Sequence, residues 1–191
     1  MSIAAVILAA GGGSRFSGSG GSGPKQLAQV GGEAMVDRAL AAAAEAGFDE
    51  VVLVDGAVDL SDRAGSRGAT VLHNPSWQDG IASSLRVALS HAELERHDAV
   101  VVGLADQPGV GAAAWRAVAD APDAPPIAVA TYAGRRANPV RLHSSVWELL
   151  PVTGDEGARA LMRGRPDLVR EVPCIGEPWD VDTVEDLERW S

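Results

Sequence analysis

The sequence is short of cysteines, aromatic residues and cations, and each shortage narrows the class of protein. Its 191 residues contain one cysteine, Cys174, so no disulfide can form within the chain and a disulfide-stabilised secreted domain is excluded. Aromatic residues make up only 4% of the chain, and the net charge is −10. A nucleic-acid-binding protein usually presents a basic surface. The composition therefore predicts no nucleic-acid partner.

The sequence also lacks a hydrophobic run that is long enough to cross a membrane. Its first apolar run is short and follows no basic region, unlike a signal peptide or a membrane-spanning helix. We therefore expect no membrane association and a cytoplasmic location. The length favours one domain over residues 1–191, with a substantial core.

The first segment that points to chemistry is residues 6–15, which read VILAAGGGSR, followed by Lys25. The apolar run predicts a buried parallel strand, and glycines directly after it let backbone N–H groups approach a ligand closely. Phosphate is the usual ligand of such a turn, and Arg15 and Lys25 match its charge. The spacing is not that of a P-loop, and Phe16 stands where a G-x-G-x-x-G motif has its last glycine.

Apolar strand-like segments alternate with helical segments along the whole chain. This order predicts an α/β three-layer α/β/α sandwich on a mainly parallel mixed sheet, a Rossmann-like fold. Residues 17–23 have linker composition and are predicted to be a mobile loop, and residues 59–68 a polar connection. Strands are predicted at 3–9, 51–54, 70–72, 99–104, 127–131, 140–142 and 168–172, and helices at 33–46, 81–92, 111–119, 144–150, 156–162 and 183–190.

Six segments, in this order, resemble the motifs of the MobA-like nucleotidyltransferases, with the molybdenum cofactor cytidylyltransferases as the closest branch. The segments are LAAGGGSR at 8–15 with Lys25, NPSWQDGIASSLR at 74–86, ADQP at 105–108, TYAGRRANPV at 131–140, GDEGAR at 154–159 and DVDTVEDL at 180–187. The family usually has about four residues between the arginine and the lysine, whereas nine separate Arg15 from Lys25. Ala137-Asn138 replaces the family's Gly-His, and Val184 replaces its proline. These departures leave the nucleotide motifs in place and affect the second substrate.

The resemblance implies a nucleotide-diphospho-sugar-transferase-like fold and transfer of CMP from CTP to a phosphorylated acceptor such as molybdopterin cofactor, with release of pyrophosphate. It implies Mg²⁺ as cofactor, held by Asp106 and Asp182, where Asp182 is chosen over Asp180 by analogy with the family. The expected catalytic residues are Arg15, Lys25 and Asp106. The expected nucleotide-binding residues are Leu8, Ala9, Ala10, Gly11, Gly12, Gly13, Ser14, Arg15, Lys25, Gly80, Ser83, Ser84 and Asp106.

Each of these residues also has a purely structural interpretation. Arg15 and Lys25 can be solvated surface cations. Asp106 before Pro-Gly can cap a turn, and Asp182 can cap the last helix. Ser83 and Ser84 can cap the helix that they begin. The strand-turn context and the resemblance favour the functional interpretation of the two cations.

Other functions remain open on the sequence alone. The chain can be a transferase of the same fold that acts on another phosphorylated metabolite, or a non-catalytic nucleotide- or pterin-binding protein. A nicotinamide-dependent oxidoreductase is a third possibility, which the missing third glycine disfavours. The expected partners are a nucleoside triphosphate, a phosphorylated small molecule and, transiently, an enzyme that accepts the finished cofactor.

Overall fold

A seven-stranded mixed sheet is the middle layer of the protein, in a computed structural model that describes residues 1–190. The strands are β1 (Ile3–Leu8), β2 (Gln29–Val30), β3 (Glu33–Ala34), β4 (Glu50–Asp55), β5 (Thr70–His73), β6 (Ala99–Leu104), β7 (Ile127–Tyr132), β8 (Arg135–His143) and β9 (Val169–Pro173). The helices are α1 (Ser14–Gly18), α2 (Met35–Ala46), α3 (Ser61–Gly65), α4 (Ile81–Leu94), α5 (Ala112–Ala119), α6 (Ala158–Gly164) and α7 (Val184–Glu188).

The topology of the sheet confirms the predicted mainly parallel, mixed architecture. The strand order is β5-β4-β1-β6-β8-β7-β9, and β2 and β3 form a separate hairpin. Parallel pairs join β4 to β5, β1 to β4, β1 to β6, and β7 to β9. Strand β8 runs antiparallel to both of its neighbours, β6 and β7. The carboxyl ends of β1, β4 and β6 therefore lie side by side at one edge of the sheet, where ligands bind in folds of this kind.

Apolar side chains cover both faces of the sheet. Successive side chains of β1 point to opposite faces, so Ile7 packs in a cluster with Trp115 of α5, while Val6 packs in a cluster with Leu85 of α4. All four side chains are buried. A β-carbon on Gly103 would lie only 2.4 Å from the Trp115 ring. Glycine in β6 is therefore what lets the large ring approach the sheet.

The first helix after the glycine-rich tract begins later than predicted. Residues 33–34, predicted to be helical, form strand β3 and pair with β2. Gly31 and Gly32 between the two strands have φ angles of +59° and +83°. Two adjacent glycines of positive φ are typical of a tight hairpin turn. The predicted helix start at 33 is wrong because this hairpin takes up the residues before Met35.

Three other predicted elements differ in the structure. The polar connection at 59–68 contains the short helix α3. The strand predicted at 140–142 is the end of the nine-residue strand β8, whose first residues are exposed and polar and so hide the strand pattern. The helix predicted at 144–150 is a 3-10 helix, Ser144–Leu149. The remaining boundaries agree within about two residues, which is the usual uncertainty of helix ends.

The serine- and glycine-rich tract at 17–23 is better packed than its composition suggests. Its first two residues belong to α1, and the buried ring of Phe16 lies against Gly21, where a β-carbon would come within 2.3 Å of the ring. The hydroxyl of Ser19 accepts a hydrogen bond of 3.0 Å from the backbone N–H of Val184. The mobility of the tract stays a prediction.

The chain returns to the carboxyl edge of the sheet just before α7. The backbone N–H of Val181 donates to the carbonyl oxygen of Asp106 at 2.9 Å, and the Val181 side chain is fully buried beside Met35. Thr183 and Asp186 form a capping box at the start of α7. Asp180 and Asp182 are thus held next to the end of β6. Within residues 1–190, no helix has the length and hydropathy needed to span a bilayer.

Candidate active site

Lys25 lies between two carboxylates at the carboxyl edge of the sheet. Its ammonium donates to Asp106 Oδ2 and to Asp182 Oδ1, each at 2.7 Å. Arg15 forms an ion pair with the other carboxylate oxygen of Asp182. Two cations and two carboxylates from four separate segments therefore form one network. The structure brings together the three residues predicted to be catalytic and the two predicted to hold a metal.

The Lys25 side chain is only 11% exposed, so burial and the neighbouring carboxylates have opposite effects on its pKa. Burial alone lowers the pKa of an ammonium because it disfavours the charged form. The charges and hydrogen bonds of Asp106 and Asp182 outweigh burial, so the pKa of Lys25 is raised above its ordinary value. Lys25 is accordingly a permanent cation at neutral pH.

One oxygen of Asp106 is left without a partner. Its Oδ1 atom is buried and, within residues 1–190, accepts no hydrogen bond. A buried carboxylate oxygen without a hydrogen-bond partner destabilises the fold unless a cation or a hydrogen-bond donor binds it. The same residues contain no group of three or more carboxylate, imidazole or thiol side chains placed to hold a metal. A pair of carboxylates fits Mg²⁺, which usually takes one or two protein carboxylates together with substrate phosphates and waters.

Asp180 lies beside this pair. Its Oδ1 accepts a hydrogen bond of 2.8 Å from the side-chain amide of Gln107. Partial burial raises the pKa of the Asp180 carboxyl, and the neighbouring charge of Asp106 raises it further, while the bond from Gln107 opposes both. The structure therefore places all three carboxylates in one electrostatic group.

Gln107 also ties the site to the β7–β8 hairpin. It is buried, and its amide oxygen accepts a hydrogen bond of 3.2 Å from the side-chain amide of Asn138. The backbone oxygen of Asn138 in turn accepts from the Tyr132 hydroxyl at 3.0 Å. Sequence reasoning missed Gln107 and Asn138 as individual residues, because neither a loop position nor a polar position in a strand reveals a tertiary partner.

The glycine turn after β1 is held in shape by a buried side chain. The amide of Gln26 donates to the carbonyl oxygens of Ala9 at 2.8 Å and Gly11 at 2.6 Å. Gly13 has a φ of +64°, and a β-carbon there would lie 2.8 Å from the Lys25 side chain. The turn therefore requires glycine at 13 if Lys25 is to lie where it does.

The backbone of this turn is open to a ligand. Within residues 1–190, no backbone N–H from Gly11 to Ser14 donates to another group. Leu8 lines the adjacent cavity, whereas Ala9 and Ala10 are buried beneath the turn. The turn thus offers a short run of free donors next to two cations.

The second predicted nucleotide-binding segment is engaged internally. The amide of Asn74 donates to the hydroxyls of Ser83 at 2.8 Å and Ser84 at 2.9 Å. A β-carbon on Gly80 would lie 2.5 Å from the carbonyl oxygen of Gly154, which itself accepts from the N–H of Ala82. The start of α4 is therefore packed and partly capped by the chain. A nucleotide-binding role for Gly80, Ser83 and Ser84 stays a prediction.

A cavity of about 450 Å³ opens from this network toward α6. Asp106, Asp182 and Arg15 line one end of it. Its walls include side chains of the sheet face that α4 covers, among them Val102 and Val140. The volume lies in the range of roughly 300–1,000 Å³ that small-molecule sites usually have.

Comparison with known proteins finds one matching family model and several similar proteins. The family model described as the MobA-like NTP transferase domain matches residues 5–171. Nicotine blue oxidoreductase from Paenarthrobacter nicotinovorans is 31% identical over 200 residues, which cover 98% of this chain and 95% of that protein.

Two solved structures of Rv0371c from Mycobacterium tuberculosis H37Rv are also similar. One is 32% identical with a TM-score of 0.82 and covers 100% of this chain and 97% of that one. The other is a complex with manganese, 31% identical with a TM-score of 0.80, and covers 100% and 98%. A CMP:2-keto-3-deoxy-manno-octonic acid synthetase complexed with CTP has a TM-score of 0.72 at 15% identity over 99% and 96% of the two chains, a likeness of fold alone.

Proposed function

The chain belongs to the family of MobA-like NTP transferase domains, and on that basis we propose that it transfers CMP from CTP to a phosphorylated acceptor such as molybdopterin cofactor. The observation that carries the proposal is the position of Lys25 between Asp106 and Asp182, beside a turn with free backbone donors. We further propose Mg²⁺ as the cofactor, residues 1–191 as a single catalytic domain, and a cytoplasmic location. A transient contact with an enzyme that accepts the product completes the proposal.

The reaction that we propose is an in-line displacement. A phosphate oxygen of the acceptor forms a bond to the α-phosphorus of the nucleotide. The bond from that phosphorus to the α–β bridging oxygen breaks, and pyrophosphate leaves with the electron pair. All reactants are anions, so the main tasks of the protein are to position them and to neutralise their charge.

Each residue of the network has a task in this scheme. The free N–H groups from Gly11 to Ser14 bind the triphosphate, and Arg15 neutralises it. Lys25 stabilises the charge that grows around the α-phosphate as the bond breaks. Asp106 and Asp182 hold the divalent ion, which supplies Lewis-acid polarisation of the phosphate oxygens when it is bound.

A direct assay tests the proposal. Purified protein is mixed with CTP, GTP or ATP, molybdopterin cofactor and either Mg²⁺ or Mn²⁺, and pyrophosphate release is measured. We expect release with CTP and Mg²⁺ that depends on the acceptor. Nucleotide binding without any pyrophosphate release would instead support the non-catalytic binding protein. Release with a different phosphorylated acceptor would support the alternative transferase.

A second candidate rests on the relative named nicotine blue oxidoreductase, and it is a nicotinamide-dependent reduction. Two contacts of one carboxylate oppose a conventional dinucleotide site. Asp55 at the end of β4 is buried, accepts from the N–H of Leu60 at 3.0 Å and pairs with His73 at 2.9 Å, so it is not free to bind a ribose hydroxyl. Oxidation of NADH or NADPH in the presence of an aromatic dye decides between the two activities.

A further inference from the structure

The side chains that line the cavity next to the network indicate the chemical nature of the acceptor. Part of its wall is formed by Leu85, Val102, Val129, Val140, Leu142 and Met162, all of which are buried. These side chains carry no group that donates or accepts a conventional hydrogen bond. A ligand with many polar atoms would leave those atoms unpaired against this wall, at a cost in binding free energy.

The rim of the cavity adds a cation, Arg159, whose side chain has no partner among residues 1–190. Among residues 1–190, the guanidinium of Arg159 makes no hydrogen bond and no ion pair. Two other arginines of the rim are engaged, since Arg136 donates to Glu171 at 2.7 Å and Arg163 to Glu156 at 2.5 Å. Arg159 is therefore the rim arginine that is available to an anion, and arginine is well suited to phosphate.

From this arrangement we infer that the acceptor has an apolar body, such as a ring system of about naphthalene size, and an anionic group. The apolar body occupies the cavity between the sheet and α6. The anionic group lies at Arg159, which lines the same cavity as Asp106 and Asp182. The inference rests on the proposed transfer reaction and narrows its acceptor to phosphorylated compounds with a largely apolar body.

A pair of model phosphates tests the inference without any turnover. Isothermal titration calorimetry compares 1-naphthyl phosphate with myo-inositol 1-phosphate, which has a similar charge and a polar body. We expect the naphthyl compound to bind at least about tenfold more tightly, since it removes two apolar rings from water. Equal affinities for the two phosphates would overturn the inference.

Two substitutions locate the binding. Ala158 lines the cavity, so Ala158→Leu fills part of it and is expected to weaken naphthyl phosphate binding severalfold. Ala160→Leu on the same helix, at a residue that does not line the cavity, is the matched control and is expected to have no effect. Thermal melts show whether both variants are folded. A folded Ala158→Leu protein with unchanged affinity would contradict the inference.

The charge at the rim is tested in the same way. Arg159→Gln is expected to weaken the binding of 1-naphthyl phosphate but not that of the uncharged 1-naphthol. Arg165→Gln, at a residue paired with Asp167, is the control and is expected to leave both affinities unchanged. CTP is not expected to displace the probe, and displacement would place it in the nucleotide site and overturn the inference. Pyrophosphate release with CTP is measured separately, so failure here and failure of the transferase proposal are distinguishable.

Discussion

Asp106 and Asp182 share one counter-ion, the Lys25 ammonium, which lies 2.7 Å from an oxygen of each carboxylate. Two carboxylates so close to one point repel each other unless a cation lies between them. In the absence of ligands, Lys25 provides that cation. The proposed reaction needs the same ammonium on the nucleotide phosphates, so the arrival of a nucleotide with its divalent ion implies an exchange of partners.

Removal of the ammonium tests the catalytic role. We expect Lys25→Ala to lower kcat by about 10²-fold or more, because a fixed cation acts most strongly on charge that develops in the transition state. Nucleotide affinity, measured by calorimetry, should fall much less than kcat. Arg116→Ala, at an exposed cation paired with Glu45, serves as control. A variant in which only KM changes would show that Lys25 merely binds the nucleotide.

If Lys25 must leave the two carboxylates before a metal ion binds there, removal of its charge should strengthen metal binding. Lys25→Met keeps the length of the side chain but removes the positive charge between the carboxylates. We expect the variant to bind Mn²⁺ in the absence of nucleotide about tenfold more tightly than the wild-type protein, since a competing cation at short range has been removed. Electron paramagnetic resonance of free Mn²⁺ measures this affinity directly. Unchanged or weaker binding would mean that the two carboxylates are not the metal ligands.

The two carboxylates themselves are tested one at a time. Asp106→Asn and Asp182→Asn are each expected to reduce Mg²⁺-dependent transfer to background while circular dichroism shows an intact fold. The physical reason is that an amide keeps the shape of the side chain but binds a hard divalent cation less well than a carboxylate does. Asp120→Asn, at an exposed position at the end of α5, should leave activity unchanged. Full activity in either test variant would remove that residue from the metal site.

A pH-dependent prediction concerns the opposite edge of the sheet. Glu50 accepts hydrogen bonds from Thr70 at 2.7 Å, from His91 at 3.0 Å and from His97 at 2.9 Å. Burial tends to raise the pKa of the Glu50 carboxyl, but these bonds together lower it below its ordinary value of 4.5. A carboxyl of lowered pKa stabilises the fold above the pKa of the unfolded chain, and this stabilisation is lost as pH falls through the folded value.

We therefore expect Glu50→Gln to reduce the free energy of unfolding by about 1–3 kcal/mol at pH 7, since hydrogen bonds to a charged acceptor are lost. The difference should shrink when urea denaturation is repeated below pH 4. Glu45→Gln, at an exposed carboxylate, should change stability by no more than about 0.5 kcal/mol at either pH. A difference for Glu50→Gln that does not depend on pH would contradict the argument.

The fold and the central network could be predicted from particular features of the sequence. The apolar run of β1 stops at three glycines, and the uncharged strand β6 ends before Asp106. Both patterns predict functional residues at the carboxyl edge of a sheet. The pairing of Asp182 with the same cation depends on the buried return of the chain at Val181. Only the resemblance to known motifs suggested that return.

Other contacts could not be predicted because they depend on tertiary distances. The spacing of Asp155 and Arg159 is that of an i, i+4 pair on a helix, but α6 begins at Ala158, so Asp155 lies outside the helix. Arg163 pairs with Glu156 instead, and the Arg159 guanidinium has no partner among residues 1–190. The hydroxyls of Ser83 and Ser84 likewise face inward because a loop residue, Asn74, reaches them.

Lys25 is the single lysine of the sequence, and it is the residue on which the network converges. Reductive methylation with ¹³C-formaldehyde would therefore label two amines, this side chain and the chain's α-amino group. Of these two amines, the Lys25 side chain is the one that contacts Asp106 and Asp182, so its methyl resonance reports on the network. One signal in a simple spectrum would then report the binding of protons, metal and nucleotide at the carboxyl edge of the sheet, with no need to assign the rest of the chain.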